Sequence, residues 1–412
     1  MKLWRHILLT TTTILSLVFC SSESVSAQTA NDYWLAADKA LAAGDTDSTF
    51  YYLDMFRKRF GRQYAYAYTT FLTEEDYRPL HNDARWTAFM DSMRIYKHED
   101  EDKREIAYPK KAVVEDTNAP TVKRYDIMLY IDVEKKKLAV TTTALIDFKG
   151  RESIDFTLWK NSTINHIRCK KKELTYSFDT KDKSTNTYIR QGAPLHLTAP
   201  KNKGICSIAF DYTCNLDSID TWMSSMEKDW VQLGYYMAWF PVNNDSRDFT
   251  ANVSISINKD YTVSGSGIVE RKGDKWKMSQ TWGSFDLQIV ASPSLKSKKM
   301  TNNGRTFEVV YTDFADADAD SALVACSKAL QFYTRLFKTN PNNDYMKFLV
   351  VPRRGGGISR KNFIAYATRR FNEHFKTAIG HEMGHFWWNK APTFSWEDWL
   401  NEGFAEFSML WY

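Results

Sequence analysis

The spacing of apolar residues in the early part of the chain is helical. Between Asp32 and Ile106 apolar positions recur at three- and four-residue intervals, as they do on an amphipathic α-helix. A Gly44-Asp45 turn separates the first two apolar stretches, and Asn82-Asp83 offers a cap for a further helix. The pattern predicts a helical hairpin followed by one more amphipathic helix.

This hairpin resembles one tetratricopeptide-type unit. A stable array needs about three such repeats, whereas the chain shows one clear hairpin. We therefore interpret residues 28–112 as a helical segment that caps the domain that follows.

From Val113 the period of the apolar positions changes to two. Alternation runs from Tyr125 to Val133 and, after a short turn, from Leu138 to Ile146, which predicts a hairpin with one buried face. Similar runs recur near Ile255 and Leu287. We predict an antiparallel all-β domain over residues 113–298.

Residues 299–412 mix the two periods. The pattern predicts strands at Phe307–Tyr311 and Met346–Val351 around a helix at Ser321–Phe337. A loop at Pro352–Gly357, a strand at Asn362–Ala367 and two helices follow. The predicted fold class of the whole chain is therefore multidomain α+β.

The first 27 residues have the features of a signal peptide. Lys2 and Arg5 precede an apolar stretch, and Val25-Ser26-Ala27 offers a small-residue cleavage site. Cys20 leaves a lipid anchor open as an alternative, although the bulky Phe19 before it argues against lipidation. We expect export to the periplasm, the cell envelope or the medium. No later segment approaches the ~20 apolar residues of a transmembrane helix.

Composition narrows the class of partner. The 412 residues include 55 Lys+Arg and 50 Asp+Glu, a net charge of +5, with 43% hydrophobic residues. This is a globular composition without the basic surface that nucleic acid requires, so we expect no nucleic-acid partner. Of the five cysteines, Cys206 and Cys214 flank a short apolar run. They would either bridge neighbouring strands or remain as buried thiols.

One motif in the sequence predicts a metal-binding site. In His381-Glu382-Met383-Gly384-His385 the two histidines are four residues apart, which places both imidazoles on one helix face, where they can bind Zn²⁺ beside Glu382. The alternative is a pair of surface or core histidines. Zinc needs a third protein ligand, and Glu402 offers a carboxylate on a second helix, for which Ser395 and Asp398 form a capping box.

The segment Trp399-Leu400-Asn401-Glu402-Gly403-Phe404-Ala405, with the HExxH motif, resembles the gluzincin zinc metallopeptidases of the aminopeptidase-N and leukotriene-A4-hydrolase type. The resemblance covers about residues 113–412. It implies a saddle-like β domain, a thermolysin-like catalytic domain over residues 299–412, and hydrolysis of peptide substrates. It also implies one Zn²⁺ per chain, with His381, His385 and Glu402 as its ligands and Glu382 as the general base.

The sequence departs from this family upstream of the motif. A Gly-x-Met-Glu-Asn segment in the family carries the glutamate that captures the free amino terminus of the substrate. Here the chain has Gly355-Gly356-Gly357-Ile358-Ser359-Arg360, and Ser359 takes the place of that glutamate. We expect Gly356, Gly357, Ser359 and Arg360 to bind substrate, without strict aminopeptidase specificity. The glycines would let a peptide backbone approach the next strand.

Two further departures concern the C-terminal part. The segment between His385 and Glu402 has 16 residues, two fewer than is usual in the family, a deletion that a loop tolerates. The tyrosine that stabilises the oxyanion in the family would come after Tyr412, so we interpret the sequence as truncated. Glu406, one turn after Glu402, would either hydrogen-bond a ligand imidazole or remain solvated.

Two alternatives to a peptidase stay open at this point. One is a catalytically impaired zinc-binding remnant that acts as a binding protein. The other is a zinc hydrolase that acts on a non-peptide electrophile such as an ester or epoxide, since the same metal and base activate water against other electrophiles.

Overall fold

The computed structural model describes most of the chain in ten ranges. They are 29–107, 116–181, 188–201, 203–219, 221, 223–339, 341, 344–352, 356–391 and 397–412. The predicted signal peptide, Cys20 and Ser395 lie outside these ranges. The chain divides into two compact units, Met1–Tyr96 and Lys97–Tyr412.

The first unit is helical. Its elements are α1 (Ala30–Ala42), α2 (Thr46–Phe60), α3 (Ala67–Thr73), a 3₁₀ turn (Glu75–Leu80) and the beginning of α4 (Ala84–Ala107). Thr29 caps α1 in a capping box with Asp32. Helices α1 and α2 form the predicted hairpin, whose core includes Trp34 stacked on Phe71 at 4.6 Å between ring centroids.

The second unit begins with strands. Their bounds are β1 (Thr121–Asp132), β2 (Lys137–Asp147), β3 (Ser153–Trp159), β4 (Ser162–Cys169), β5 (Lys172–Glu173), β6 (Tyr176–Phe178), β7 (Gly192–Thr198), β8 (Ile205–Asn215), β9 (Ser225–Met226), β10 (Val231–Leu233), β11 (Phe249–Ser256), β12 (Thr262–Gly265), β13 (Ile268–Lys272), β14 (Lys275–Ser284) and β15 (Ile289–Ser292). A 3₁₀ turn at Tyr235–Met237 follows β10.

These strands form three sheets around one apolar core. The orders are β13-β14-β11-β1-β2-β8-β4-β5, β12-β15-β10-β9 and β3-β7-β6. Every paired strand described here is antiparallel to its neighbour except β1 and β11, which are parallel. The prediction of a wholly antiparallel domain misses this pair because β11 reaches β1 through a long excursion, not through a hairpin turn.

Of the two interpretations of Cys206 and Cys214, the structure excludes the bridge between neighbouring strands. Both residues lie on strand β8, and eight residues of strand span roughly 26 Å, far beyond the reach of a disulfide. Both side chains are buried, as the alternative interpretation requires.

The α+β part follows in the same unit. It contains β16 (Lys296–Asn302), β17 (Arg305–Tyr311), α5 (Asp316–Phe337), β18 (Tyr345–Val351), β19 (Gly357–Arg360), β20 (Phe363–Ala367), α6 (Glu373–Gly384) and α7 (Asp398–Trp411). The five strands form a sheet in the order β16-β17-β18-β20-β19. One face packs on α5 and α6, and the other joins the core of the β sheets.

Strand β19 is absent from the predicted elements. Because it has four residues and begins at a glycine, it shows no period that a sequence pattern can reveal. It pairs antiparallel with β20 and lies at the edge of the sheet. The turn between them places Asn362 at a φ of 62°, a left-handed conformation that asparagine tolerates.

Two helix starts also differ from the prediction. Helix α5 begins at Asp316, before the predicted Ser321, because Asp316 and Asp318 suit the positive end of a helix. Helix α7 begins after Glu397, which makes no capping hydrogen bond with its side chain. The predicted capping box of Ser395 and Asp398 involves Ser395, which lies outside the described residues, and Glu402 falls in the second turn of the helix. Within the described ranges, no helix combines the length and hydropathy needed to span a bilayer.

Candidate metal centre

Helix α6 presents its two histidines side by side. Phe375, Ile379 and Met383 occupy its buried face, and the spacing of four residues places His381 and His385 together on another face. Their ring centroids lie 4.9 Å apart, with the ring planes nearly perpendicular. Asn372 fixes the start of this helix by accepting a hydrogen bond from the Phe375 N–H at 2.8 Å.

A close helix crossing brings the third side chain to the histidines. A Cβ on Gly384 would lie 3.1 Å from the Cα of Ala405, so the glycine lets α7 approach α6. Glu402 then faces both imidazoles, with Oε2 at 3.4 Å from His381 Nε2 and Oε1 at 3.6 Å from His385 Nε2. The three donor atoms all lie within 4.8 Å of one another.

Each imidazole is held by its other nitrogen. His381 Nδ1 lies 2.9 Å from Glu406 Oε2, and His385 Nδ1 lies 3.2 Å from the Trp388 carbonyl oxygen. Because both partners are acceptors, each Nδ1 carries the proton and donates it. In each ring Nε2, which faces Glu402, is therefore the nitrogen left to coordinate a cation.

The general-base candidate Glu382 lies in a buried position beside this triad. Its side chain is 6% exposed. Burial raises the pKa of Glu382 to about 7, and Glu402 adds to the increase, while His381 and Arg360 oppose it. A Cβ on Gly357 would lie 2.1 Å from Glu382 Oε1, so the carboxylate lies directly against the backbone of β19.

The carboxylates give this region a negative potential. Burial alone would lower the pKa of His381, but the adjacent Glu402 carboxylate and the nearby charges of Glu382 and Glu406 raise it to about 9. Burial alone would raise the pKa of the Glu402 carboxyl, but the two nearby histidines have the larger effect and lower it below its ordinary value. The carboxylate therefore stays ionised. A site that stabilises an extra proton in this way also favours a cation.

The four predicted substrate-binding residues divide between the loop and the two faces of β19. Gly356, with a φ of 42°, comes just before the strand. Gly357 faces Glu382 of α6, and by alternation along the strand Ser359 lies on the same face, whereas Ile358 joins the β-sheet core. Arg360 shares the face of Ile358.

Arg360 forms a buried ion pair with the β domain. Its Nε donates to Asp286 Oδ2 at 2.9 Å, and the two side chains are 9% and 0% exposed. Its Nη1 donates to the Ser359 carbonyl at 2.8 Å, and its Nη2 donates to the Tyr236 hydroxyl at 3.3 Å. Arg360 was predicted to bind substrate. In the structure its guanidinium also pairs with Asp286 and so joins β19 to the β domain.

Sequence reasoning assigned no role to Asp286, Tyr236 or Asn401. Asn401 accepts from the Ala391 N–H at 3.1 Å and donates to its carbonyl at 2.9 Å, which ties α7 to the segment after α6. The only sequence signal for it was its place beside Glu402. Asp286 and Tyr236 gave none, because they lie far from Arg360 along the chain.

The chain is similar in sequence to known aminopeptidases. No protein-family model matches the chain. It is 25% identical over 216 residues to a membrane alanyl aminopeptidase of Manduca sexta, which covers 45% of this chain and 21% of that protein. It is 24% identical over 168 residues to an aminopeptidase N of Haemonchus contortus. That alignment covers 37% of this chain and 17% of that protein. The chain therefore spans about a fifth of the length of these relatives.

A solved structure shares the fold. The crystal structure of a mutant two-domain M1 zinc metallopeptidase bound to L-tryptophan aligns with a TM-score of 0.52 and 13% identity, covering 71% of each chain. This likeness agrees with the predicted multidomain α+β class and its N-terminal helices. In sequence and in fold, this chain resembles the aminopeptidase-N-like gluzincin metallopeptidases.

Proposed function

We propose that this chain is a zinc metallopeptidase that hydrolyses peptide bonds, with His381, His385 and Glu402 as ligands of one Zn²⁺ and Glu382 as general base. The convergence of three donor atoms within 4.8 Å carries this proposal. The names of the aminopeptidase relatives and of the structural neighbour support it.

The donor set suits Zn²⁺. Two imidazole nitrogens and one carboxylate are the ligands of many catalytic zinc sites, which keep a further position open. The hydrogen bonds from each Nδ1 to Glu406 and to the Trp388 carbonyl leave Nε2 as the coordinating atom. Glu402 turns one oxygen toward each histidine, so a cation between the three groups replaces contacts already formed there.

Bound Zn²⁺ supplies Lewis acidity that polarises a peptide carbonyl and makes a water molecule more acidic. Glu382 accepts the proton of the attacking water and returns it to the leaving amine. Glu406 holds the ring of His381 during these steps.

Substrate lies along β19 in this proposal. Gly356 is exposed just before the strand, Gly357 brings the strand against Glu382, and Ser359 and Arg360 complete the strand. Because β19 is an edge strand among the described strands, an extended peptide can pair with it as an additional strand.

The domain bounds 28–112, 113–298 and 299–412 belong to the same proposal, as does export. Signal-like residues 1–27 support export, with lipidation of Cys20 as the alternative form. Mass spectrometry of the mature N-terminus distinguishes cleavage after Ala27 from a lipid on Cys20. A chain that still carries Met1 in its native host would contradict both.

The test of the function pairs metal content with hydrolysis. We expect one zinc per chain by elemental analysis and hydrolysis of a mixed peptide library. Glu382→Gln should keep the zinc and lose about a hundredfold or more in rate. Glu373→Gln, an exposed glutamate on the same helix, is the matched control and should retain both.

Two other outcomes separate the alternatives. Zinc without hydrolysis would favour a metal-binding remnant that acts as a binding protein. Absence of zinc from the wild-type chain would contradict the ligand assignment itself.

A further inference from the structure

We infer that the cleft takes peptides whose residue on the amino-terminal side of the scissile bond carries an amide, either internal or N-acylated, and not a free ammonium group. This inference rests on the proposed peptidase function and concerns its substrate class. The geometry of strand β19 and the charges around Glu382 support it.

The cleft-facing side of β19 is neutral. Gly357 and Tyr366 are paired across β19 and β20, and both contact the space next to the Glu382 carboxylate. By alternation along the strand, Ser359 lies on the same face as Gly357. Its half-exposed hydroxyl is the first side chain of β19 that a bound peptide meets beyond Gly357.

The one charged side chain of β19 is a cation whose position is fixed. The Arg360 guanidinium donates three hydrogen bonds, to Asp286, the Ser359 carbonyl and the Tyr236 hydroxyl. Asp286 in turn accepts from the Tyr235 N–H at 2.9 Å and the Gln288 side chain at 2.9 Å. Since Asp286 is fully buried and already accepts three hydrogen bonds, it offers no oxygen to a substrate ammonium.

The remaining carboxylates near the reacting groups already have partners or roles. The charged groups that act on Glu382 are His381, Glu402 and Arg360. Glu402 faces the histidines, Glu406 holds His381, and Glu382 is the base. Among the described residues around Glu382, no further carboxylate remains for a ligand cation.

Burying the charged amino terminus of a substrate next to the scissile carbonyl costs free energy. An amino terminus on the residue that supplies the scissile carbonyl lies about 3 to 4 Å from that carbonyl. Once a metal cation occupies the three ligands, this ammonium would enter a partly buried region that offers it no unassigned anionic partner among the described residues, which is unfavourable. A secondary amide in the same place carries no charge and can donate its N–H to the outer edge of β19.

A charge swap at Ser359 tests the inference. The probe is one quenched fluorescent hexapeptide in unblocked and N-acetylated forms, hydrolysed by the full zinc-loaded chain, with cleavage sites read by mass spectrometry. We expect kcat/KM for removal of the first residue to be about tenfold higher for the acetylated form. Ser359→Glu should lower that ratio by about tenfold or more because it adds an anion to the cleft face. Ser359→Gln, similar in size but neutral, should keep the wild-type ratio.

Two results would overturn the inference. One is a preference of the wild-type chain for the unblocked peptide by tenfold or more. The other is an equal ratio for Ser359→Glu and Ser359→Gln.

A binding measurement separates this inference from the proposed hydrolysis. In a Glu382→Gln background, calorimetry gives the Kd of both peptides without turnover. If the wild-type chain hydrolyses neither peptide but the variant binds the acetylated form at least as tightly, the proposed peptidase function fails and the substrate inference stands. Tighter binding of the unblocked form, or no binding of either, overturns the inference.

Discussion

Two groups of charged side chains lie on opposite faces of strand β19, and they differ in how completely their polar atoms are paired. On the helix side, His381, His385 and Glu402 converge at 3.4 to 3.6 Å, longer than a hydrogen bond, with Glu402 59% exposed. On the sheet side, Asp286 and Arg360 are buried and joined at 2.9 Å. The first arrangement is open to a ligand, whereas the second is closed and serves to hold the strand.

The largest expected effect comes from breaking the closed pair. Asp286→Ala leaves a buried guanidinium without its counter-ion, so we expect a loss of about 3 to 5 kcal/mol in the free energy of unfolding, measured with urea. Glu402→Ala, at the open group, should cost about 0.5 kcal/mol or less in the metal-free chain.

The replacement Asp286→Leu with Arg360→Met serves as the control for this prediction. It removes both charges together and should recover most of the lost stability. Equal costs for Asp286→Ala and Glu402→Ala would contradict the distinction between a closed and an open group.

Gly357 lies between the two groups, and its replacement sharpens the comparison. In Gly357→Ala the new methyl would meet Glu382 Oε1 at 2.1 Å, so we expect a cost of about 1 to 3 kcal/mol from overpacking. Glu382→Ala should relieve part of this cost in a double-mutant cycle, because Tyr366 Cδ2 would still lie 2.7 Å from the new methyl group. Additive effects of the two substitutions would show that the methyl group collides with something else.

Glu406 tests whether the open group is oriented for a metal. Removing a carboxylate that holds a ligand imidazole typically lowers metal affinity by 10- to 100-fold, and we expect a loss of about this size for Glu406→Ala. Competition with a fluorescent zinc chelator measures it. Glu373→Ala removes an exposed glutamate of α6 and should leave the affinity unchanged. An equal loss in both variants would indicate a general charge effect.

Lys347 is an intermediate case, because it is buried like Arg360 but paired less closely. Its Nζ donates to the Gly267 carbonyl at 2.8 Å and lies 3.6 Å from Glu308 Oε2. Burial lowers the pKa of Lys347 to about 8. Because an unfolded lysine has a pKa of about 10.4, the folded state binds fewer protons between these values. The contribution of Lys347 to stability should therefore rise with pH from 8 to about 10 and stay constant below 8.

The measurement compares unfolding of the wild type and Lys347→Met across this pH range. The wild type should gain stability relative to the variant by up to about 1.4 kcal/mol per pH unit. Lys376→Met, at an exposed lysine of α6, should follow the wild type. Parallel pH profiles for wild type and Lys347→Met would mean that Lys347 stays charged throughout.

The two groups also differ in how far a sequence can predict them. His381, Glu382 and His385 lie within one helix, so their spacing alone implies their shared face, and Glu402 follows on the next predicted helix. Asp286 and Arg360 are 74 residues apart on elements that the pattern did not connect. Tertiary pairing of this kind leaves no periodic signal, and β19 itself was too short to show one.

The cysteines and strand β11 show the same limit for the pairing of strands in the sheets. Alternation predicted β1, β2 and β11, but the run around Leu287 lies between β14 and β15. It also contains no information about which strands are neighbours. One of the two interpretations of Cys206 and Cys214 therefore placed them on neighbouring strands, although they share β8. The parallel pairing of β1 with β11 depends on the long connection between them, which the pattern did not describe.

The contact of Gly384 with Ala405 has a consequence for the way this region opens. Two candidate ligands lie on α6 and the third lies on α7, so a cation that binds all three also joins the two helices. Local unfolding that separates α7 from α6 must then release the ion, and its free energy rises with metal concentration. Hydrogen exchange along α7 should slow as zinc is added, so the protection of this helix becomes a direct measure of metal affinity.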